Sequence, residues 1–353
     1  MPAMCVLRGA VALAAGLALT SCGASEVPER AGGPDGQQPV NRAVIAAAGD
    51  YGSGAGARAT LREMARSRPD VVLGLGDFSY GGPRSEAPWC KLVTTALGRV
   101  PMQIVSGNHE EDTGGDGRIA NFGRCLPDRM SSTGRYGAEY FFDIPSLARV
   151  IMISPDLTID GRHYFYGKDN DHYRWLAAMI EDARAKGITW VVVGMHKNCL
   201  STGVYYCRIY QELLNLLIDR KVDLVLQAHE HSYQRTRQIA HSTRCPIVRI
   251  DDFDRACVRS SDSGSRYARG QGTVFVINGA GGRELYKIDP KDPEAGYFQT
   301  WMGANVTPRN GFTKITLTRR RLAARFVGSS STSAFTDAFA IEARSRVRQL
   351  SAR

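Results

Sequence analysis

The sequence lacks the features that mark several common classes of protein. None of its cysteines shows the C-x-x-C spacing of a zinc ribbon. The glycine-rich stretch Ser53 to Gly56 lacks the lysine of a phosphate-binding P-loop and the full G-x-G-x-x-G spacing of a dinucleotide site. No aromatic residues interleave a basic groove, so nucleic-acid binding is disfavoured despite a formal net charge of +10. No internal repeat and no second composition regime is visible.

An apolar run near the start of the chain is too short for a permanent membrane span. It extends from Gly9 to Leu19 after Arg8, which fits the core of a signal peptide. The tetrapeptide Leu19-Thr20-Ser21-Cys22 follows and resembles a bacterial lipobox, in which the cysteine is lipidated and becomes the new N-terminus. The alternative is an ordinary secretory signal in which Cys22 is incidental. We favour a lipoprotein-type signal over residues 1–21 and a lipid anchor on Cys22, and therefore expect an exported protein.

The remaining composition indicates one folded domain between polar segments. A chain of 353 residues with 43% hydrophobic and 23% charged residues is an ordinary globular protein, which excludes a disordered or fibrous chain. The stretch from Gly23 to Pro39 is rich in Gly, Pro, Ser, Glu and Gln, so we assign a flexible tether to residues 22–41. We predict the folded domain over residues 42–342 and a basic tail over residues 343–353.

Cysteine usage agrees with export. Apart from Cys5 and Cys22, an even number of cysteines remains, as expected in an oxidising compartment. Proximity along the chain and loop context suggest three pairs, although spacing alone does not establish connectivity. The suggested pairs are Cys90 with Cys125, Cys199 with Cys207, and Cys245 with Cys257.

The apolar pattern predicts an α/β protein in which strands alternate with helices. We expect a loop over 113–137 and a surface hairpin over 236–270, and helices over 88–97, 170–185, 209–218 and around Leu61 to Ala65. The predicted strands are 43–48, 71–75, 102–105, 138–144, 148–153, 189–193, 222–226, 273–277, 311–318, 321–326 and 334–341.

Carboxylates follow the first two predicted strands at the points where those strands end. Asp50 comes after Gly49, and Asp77 comes after Gly76. Open α/β sheets place their sites at the carboxyl ends of strands, so both carboxylates should lie at one edge. The two oxygens of Asp77 can bridge two cations, and Tyr80 can add a phenolate to one of them.

The third predicted strand ends in Asn108, His109 and Glu110. Asn108 offers a neutral carbonyl oxygen to a metal, His109 can donate a proton or a hydrogen bond, and Glu110 can orient that imidazole. A simple turn is the alternative for this tripeptide. Its position after a third strand end favours a functional role.

Three of the seven histidines also end apolar strands. His196 follows the strand at 189–193, and both His229 and His231 follow the strand at 222–226. Because one residue separates His229 from His231, both imidazoles point to the same side of an extended segment. A hydrogen-bonded core histidine is the alternative, and the shared strand-end context argues against it. The other candidates lack that context and are interpreted as surface or supporting residues: His163, His172 and His241.

Collected together, these side chains form a mixed oxygen and imidazole ligand set. Such a set with one bridging carboxylate suits two first-row ions rather than calcium or a structural zinc. A tyrosinate favours ferric iron in its half of the site. The candidate ligands are Asp50, Asp77, Tyr80, Asn108, His196, His229 and His231.

Five sequence blocks together resemble the calcineurin-like metallophosphoesterases, and within them the purple acid phosphatases. Tyr80 distinguishes the purple group from relatives that lack a tyrosine ligand there. The resemblance extends from about Ala43 to Ile341. The blocks are Gly49-Asp50-Tyr51-Gly52, Gly76-Asp77-Phe78-Ser79-Tyr80, Gly107-Asn108-His109-Glu110, Met195-His196 and Ala228-His229-Glu230-His231.

The resemblance implies a fold, a metal assignment and an activity. The fold is a four-layer α/β/β/α sandwich of two mixed β-sheets flanked by helices. His109 would stabilise or protonate the leaving group, with Glu110 behind it, and Asp77 would bridge the ions. Fe3+ would be held by Asp50, Tyr80 and His231, and a second divalent ion (Fe2+, Zn2+ or Mn2+) by Asn108, His196 and His229.

The sequence departs from the family pattern at two places. Ala228 stands where glycine is usual, which we expect to be harmless because only a small residue is needed. Many members carry a further substrate-facing histidine beyond the position of His196, and this stretch holds Tyr205 and Tyr206 instead.

We predict an exported dinuclear phosphatase that hydrolyses small phosphomonoesters by attack of a metal-bound hydroxide. A phosphodiesterase on the same site is the nearest alternative, because the two activities share all metal ligands. A non-catalytic, phosphate-binding surface lipoprotein is the other alternative, against which the intact His109 and Glu110 argue.

Overall fold

The structure is a computed structural model and describes residues 40–259, 264–329 and 334–343. The predicted signal peptide, nearly all of the predicted tether and the tail beyond residue 343 lie outside the described residues. None of the helices in the described part combines the length and the apolar character that crossing a bilayer requires.

Within the described residues the chain forms five α-helices and nineteen strands. The helices are α1 (Ala55–Arg66), α2 (Glu86–Leu97), α3 (Ile119–Cys125), α4 (Asp171–Ala185) and α5 (Gln211–Asp219). The first ten strands are β1 (Arg42–Ala48), β2 (Val71–Gly74), β3 (Met102–Ile104), β4 (Thr133–Arg135), β5 (Glu139–Ile144), β6 (Ala148–Ile153), β7 (Thr158–Ile159), β8 (Arg162–His163), β9 (Trp190–Gly194) and β10 (Leu224–Gln227). The others are β11 (Tyr233–Thr236), β12 (Gln238–Ile239), β13 (Val258–Arg259), β14 (Arg266–Ala268), β15 (Val274–Asn278), β16 (Phe298–Met302), β17 (Gly311–Thr318), β18 (Arg321–Gly328) and β19 (Ala338–Glu342).

The strands assemble into two large mixed sheets. The seven-stranded sheet has the order β14-β19-β18-β17-β1-β2-β3, and the eight-stranded sheet has the order β16-β11-β15-β10-β9-β6-β5-β4. In the first sheet β1, β2 and β3 are parallel, and in the second β6, β9, β10 and β15 are parallel. Parallel strands bring their carboxyl ends to one edge, which is where both sheets carry the polar strand-end residues.

Side-chain alternation separates the core into an inner and an outer part. Ile45 and Leu73 of the first sheet face Val192 and Leu226 of the second, so they form the layer between the sheets. The opposite faces of the strands belong to the cluster that contains the apolar faces of the helices, for example Val72 with α1 and α2. These layers are the predicted four-layer sandwich of two mixed sheets flanked by helices.

Sequence-based predictions of local structure were wrong in part at three places, of which two are a loop and the last strand. The predicted loop at 113–137 contains α3 and β4, because Ile119 and Phe122 are buried against the core. The last predicted strand begins at Ala338 rather than 334, and the preceding Asp337 accepts hydrogen bonds from the buried guanidinium of Arg235.

The predicted hairpin at 236–270 is present only as the short antiparallel pair β12–β13. The chain beyond it forms β14, which joins the seven-stranded sheet parallel to β19. Cys245 and Cys257 are buried, whereas Arg249 and Asp252 between them are exposed, so the segment lies at the surface and its disulfide faces the core.

The predicted disulfide pairing is confirmed for all three pairs. Cys90–Cys125 joins α2 to α3, Cys199–Cys207 closes a short loop after β9, and Cys245–Cys257 closes the segment between β12 and β13.

Candidate metal centre

The predicted ligands converge where strands of both sheets end. Asp50 and Asp77 follow β1 and β2, and Asn108 follows β3. His196 follows β9, and the two remaining histidines follow β10. The structure therefore brings all seven predicted metal ligands into one cluster, although they come from five separate parts of the sequence.

Three ligand atoms of this cluster, from Asp50, Tyr80 and His231, lie within 3.3 Å of one another. Tyr80 Oη lies 2.8 Å from Asp50 Oδ1, 3.1 Å from Asp77 Oδ2 and 3.1 Å from His231 Nε2. Asp50 Oδ1 and His231 Nε2 are 3.3 Å apart. Ligand atoms held about 2.1 Å from a common metal ion are themselves separated by about 3 Å, so these spacings fit a shared cation.

A second set of ligand atoms lies beside the first. His196 Nε2 is 3.1 Å from Asn108 Oδ1, 3.2 Å from His229 Nδ1 and 3.3 Å from Asp77 Oδ2. Asp77 Oδ2 therefore contacts both sets, since it also lies 3.1 Å from Tyr80 Oη. This is the position that a bridging carboxylate between two ions requires.

The hydrogen bonds on the far sides of the imidazoles indicate which nitrogen faces the centre. His196 Nδ1 lies 2.8 Å from the Leu75 carbonyl, and His231 Nδ1 lies 2.8 Å from the Glu284 carbonyl. A carbonyl oxygen only accepts, so in each ring Nδ1 carries the proton and donates it. In a neutral His196 ring, the Nε2 lone pair then points at Asn108 Oδ1 and Asp77 Oδ2, which are themselves acceptors. A cation between them satisfies this donor set, so the residues present fit bound metal ions.

Burial and neighbouring charges shift the pKa values of the titratable side chains in the centre. Burial and the carboxylates of Asp50 and Asp77 raise the pKa of Tyr80 far above its ordinary value, so a phenolate there requires a compensating positive charge. Burial lowers the pKa of His229 to about 2, which keeps that imidazole neutral and free to bind a metal. Although burial opposes it, the Asp77 carboxylate raises the pKa of His196 to about 9.

Four of the seven candidate ligands are among the fourteen non-glycine residues of the described chain that have a positive φ. Asp50, Asp77, Tyr80 and His229 have φ values of 58°, 54°, 55° and 68°, in the left-handed region that non-glycine residues rarely adopt. Such residues persist only where the surrounding structure holds them, and they cluster at functional sites.

Close packing against the carboxylates requires glycine at one neighbouring position. A Cβ on Gly107 would lie 2.0 Å from Asp77 Oδ1. Glycine before Asn108 therefore lets the third strand end approach the bridging carboxylate.

His109 lies at the rim of the centre, with its side chain 30% exposed. Its Nε2 is 3.6 Å from Asp77 Oδ2, and its Nδ1 contacts the carboxylate of Asp116. Asp116 also accepts a hydrogen bond from the Gly82 N–H at 2.9 Å, which fixes the carboxylate in place. The sequence analysis missed Asp116, because no pattern marks a single aspartate in a glycine-rich loop.

The expected contact between Glu110 and the imidazole of His109 is wrong. The buried Glu110 carboxylate accepts hydrogen bonds from the backbone N–H groups of Asp77, Phe78 and Gly107, at 2.9, 2.7 and 3.0 Å. Consecutive side chains leave this turn in different directions, so Glu110 points inward while the imidazole points to the rim. Glu110 thus holds the loop that carries Asp77, and burial next to Asp77 raises its pKa to about 8.

Two aromatic rings that the sequence analysis did not assign to the site stack on the ligand histidines. The ring of Tyr205 lies 4.0 Å from that of His229 with an interplanar angle of 16°. The ring of Tyr286 lies 4.1 Å from that of His231 with an angle of 9°. Tyr206, the neighbour of Tyr205, is 65% exposed and makes no such contact.

One cation also reaches the centre. The guanidinium carbon of Arg283 lies 4.4 Å from the ring centroid of Tyr80. It adds positive charge beside the opening, which favours an anionic ligand.

The three histidines that the sequence analysis set aside lie outside the cluster. His163 is exposed and faces Asp156, His172 is buried against Glu139 at 2.7 Å, and His241 contacts Asn215 at 2.8 Å. Of these, His172 is a buried structural residue rather than a surface one.

Comparisons with known proteins agree with this geometry. Residues 43–233 match the family model described as calcineurin-like phosphoesterase. Purple acid phosphatase 21 of Arabidopsis thaliana is 26% identical over 223 residues, which cover 60% of this chain and 48% of that protein. An uncharacterized protein of Mycobacterium tuberculosis is 29% identical over 232 residues, which cover 59% of this chain and 41% of that protein.

The structural comparison extends the likeness to most of the chain. The purple acid phosphatase from yellow lupin seeds superposes with a TM-score of 0.64 at 19% identity, over 88% of this chain and 55% of that one. At that identity the match shows the fold alone, and the chain spans less than half the length of the two sequence relatives. The match over residues 43–233 covers more than half of the chain, so the protein belongs to the calcineurin-like phosphoesterase family, with purple acid phosphatases among its relatives.

Proposed function

We propose that the protein is a phosphoric ester hydrolase of the purple acid phosphatase type that hydrolyses small phosphomonoesters at two metal ions. The observation that carries this proposal is the pair of ligand sets that share Oδ2 of Asp77. A single metal ion would need only one of the two ligand sets, so an Asp77 oxygen in contact with both sets indicates two ions. Tyr80 in one of the two sets favours the purple acid phosphatase type, because a phenolate stabilises ferric iron.

The two ligand sets differ in chemistry, which supports different ions. The set with Tyr80 is hard and anionic and suits Fe3+, whereas the set with Asn108 carries less negative charge and suits Fe2+, Zn2+ or Mn2+. When bound, the two ions would supply Lewis acidity toward phosphate and water. We assign Fe3+ to Asp50, Tyr80 and His231, the second ion to Asn108, His196 and His229, and the bridge to Asp77.

His109 is the residue of this chain that we assign to the leaving group. Its imidazole lies at the rim, within reach of a phosphoester oxygen, and Asp116 holds Nδ1 so that Nε2 faces the centre. From that position it donates a hydrogen bond or a proton to the departing alkoxide. Arg283 adds positive charge on the same side, which favours binding of the phosphate.

We also propose export and anchoring. The three disulfides fit an oxidising compartment, and the predicted lipobox would attach the chain to a membrane through Cys22. A site outside the cytoplasm would act on soluble phosphorylated molecules that reach the cell envelope.

The test is elemental analysis of the purified protein combined with hydrolysis of a phosphomonoester and a phosphodiester that release the same chromophore. We expect about two metals per chain with iron as one of them, and faster release from the monoester. Faster release from the diester would replace the proposal with a phosphodiesterase.

A pair of histidine variants separates catalysis from mere phosphate binding. His109→Ala should lower kcat by about 100-fold or more while the metal content stays the same. The matched control is His163→Ala, because His163 is an exposed histidine outside the centre. If both variants hydrolyse the monoester equally well, the role assigned to His109 is wrong. If the parent binds phosphate without turnover when loaded with metal, the proposed activity is wrong.

A further inference from the structure

A basic groove crosses the outer face of the seven-stranded sheet, away from the strand ends that carry the candidate metal centre. It is open to solvent, has a volume of about 400 Å³, and is formed by β14, β17, β18 and β19. Its floor contains small side chains, such as Ala323 and Ala338, so anionic groups can approach the backbone closely. We define this basic groove by Arg266, Lys314, Thr316, Arg321, Ala323 and Arg325.

The charges of the basic groove are largely uncompensated. Lys314 of β17 stands directly opposite Arg325 of β18, an arrangement of like charges that destabilises a sheet unless something compensates it. Within the part of the chain that the structure describes, Arg321 makes an ion pair with Glu342 at 3.2 Å, whereas Arg266 and Arg325 make none. Lys314 donates a hydrogen bond to the Ser67 carbonyl, which leaves its charge without a carboxylate.

The groove lies on the side of the domain where the chain enters it. Thr318, at the end of β17 that flanks the groove, pairs with Arg42, the first residue of β1. Arg42 is exposed and adds another cation at this end of the sheet face. In the proposed anchoring, the chain that leads from Cys22 enters the described domain on this side.

The candidate metal centre lies at the other end of the same strand. Asp50 lies two residues beyond the end of β1, whereas the groove residues Thr316 and Lys314 pair with Val44 and Ala46. Six and four residues of extended chain, roughly 20 and 13 Å, therefore separate these positions from Asp50. The groove thus lies on the outer sheet face, whereas the centre lies at the strand ends. This separation makes simultaneous docking and access to soluble substrates geometrically possible.

We propose that the basic groove docks the domain on the anionic lipid headgroups of the membrane to which the tether leads. The cations would contact lipid phosphates, and the row of small residues would let the headgroups lie against the sheet. The proposal rests on the charge and position of the groove and on the proposed anchoring at Cys22, and it does not depend on the proposed phosphatase activity.

The test measures partitioning of the full chain onto lipid vesicles without help from a lipid anchor. The protein carries Cys22→Ser, and the vesicles contain either phosphatidylcholine alone or phosphatidylcholine with phosphatidylglycerol. We expect binding to the phosphatidylglycerol vesicles that weakens as salt is added, because screening shortens the reach of the surface potential.

Two double variants then locate the binding surface. Arg266→Gln with Arg325→Gln should reduce partitioning by about 25-fold, since each cation near an anionic surface contributes about fivefold. The matched control is Arg124→Gln with Lys168→Gln, which removes the same charge from exposed positions outside the groove and should leave partitioning nearly unchanged. Thermal unfolding of each variant confirms that the domain remains folded.

Three results would overturn the proposal. The first is equal loss in the two double variants, which would indicate a response to net charge alone. The second is equal binding of the parent to both vesicle types, which would show that the groove does not recognise anionic lipids. Its occupant would then be the tether or a second copy of the chain. The third is displacement by millimolar inorganic phosphate, which would indicate a site for free anions. Hydrolysis of a soluble monoester should be the same in both variants, so a failure of docking is distinguishable from a failure of the proposed enzyme.

Discussion

The carboxylate of Asp116 contacts Nδ1 of His109 at the rim of the candidate metal centre. This contact holds the imidazole with Nε2 toward Asp77, and it stabilises the ring when the ring carries a proton. Asp116 is thus a positioning residue for His109, a role that the sequence analysis had given to Glu110.

Replacement of Asp116 by asparagine should therefore reduce turnover without removing metal. The amide can still accept the hydrogen bond from the Gly82 N–H, but it cannot balance a protonated imidazole. We expect kcat for a phosphomonoester to fall by about 10- to 100-fold, with a change in the pH profile of kcat and little change in metal content.

The control for this variant is Asp112→Asn, in the same loop. Asp112 pairs with Arg118 at 2.8 Å and does not contact the imidazole. If Asp112→Asn lowers kcat as much as Asp116→Asn does, or if neither variant alters the pH profile, the positioning role of Asp116 is contradicted.

The assignment of Tyr80 as an iron ligand predicts the visible absorption of the protein. Tyr80→Phe removes the one phenol oxygen that lies within about 3 Å of Asp50, Asp77 and His231. We expect the purple absorption of the iron-loaded protein to disappear, and iron content to fall, because the ferric set loses its anionic phenolate. The fold should persist, since the phenylalanine ring retains the packing of the tyrosine.

Tyr286→Phe is the matched variant for this experiment. Tyr286 also lies at the centre, but it stacks its ring on His231 and presents no oxygen to the ligand set. It should keep the absorption band. A Tyr80→Phe protein that stays purple would show that Tyr80 is not a ligand.

The polar strand ends could be predicted from sequence because chain direction alone places them. Asp50, Asp77 and Asn108 each follow an apolar run, and parallel pairing then brings their side chains to one edge. The prediction that Ala228 is harmless also follows from a local feature of the sequence. Its Cβ occupies the space that a side chain on Gly49 would need, so alanine fits there because its neighbour is glycine.

The contacts behind the ligands could not be predicted, because they depend on how separate loops pack. Glu110 was placed correctly near the centre, but the direction of its side chain follows from a turn that brings three backbone N–H groups to its carboxylate. Tyr205 stacks on His229 from a loop closed by the Cys199–Cys207 disulfide, and spacing alone could not distinguish it from the exposed Tyr206.

A carboxylate near His196 links the stability of the domain to acid. Asp156 accepts hydrogen bonds from Lys197 Nζ at 3.0 Å and from the Tyr210 hydroxyl at 2.8 Å, and Lys197 directly follows a ligand of the centre. Burial alone would favour the neutral acid, but the hydrogen bond and the charge of Lys197 lower the pKa of Asp156 below its ordinary value of 3.8. The folded state therefore binds fewer protons at this group than the unfolded state does in the range just below pH 4.

Asp156→Asn should consequently destabilise the protein most where the carboxylate is ionised. We expect the free energy of unfolding to fall by about 1–2 kcal/mol at neutral pH, because a hydrogen bond to a charged partner is lost. The difference from the parent should shrink as pH falls through the lowered pKa, since protonation removes the same interaction from the parent. Urea unfolding of both proteins at a series of pH values measures this, with Asp169→Asn as control, because Asp169 is an exposed aspartate with a similar positive φ of 65°. A difference that stays constant down to pH 2 would mean that Asp156 acts through its shape and not through its charge.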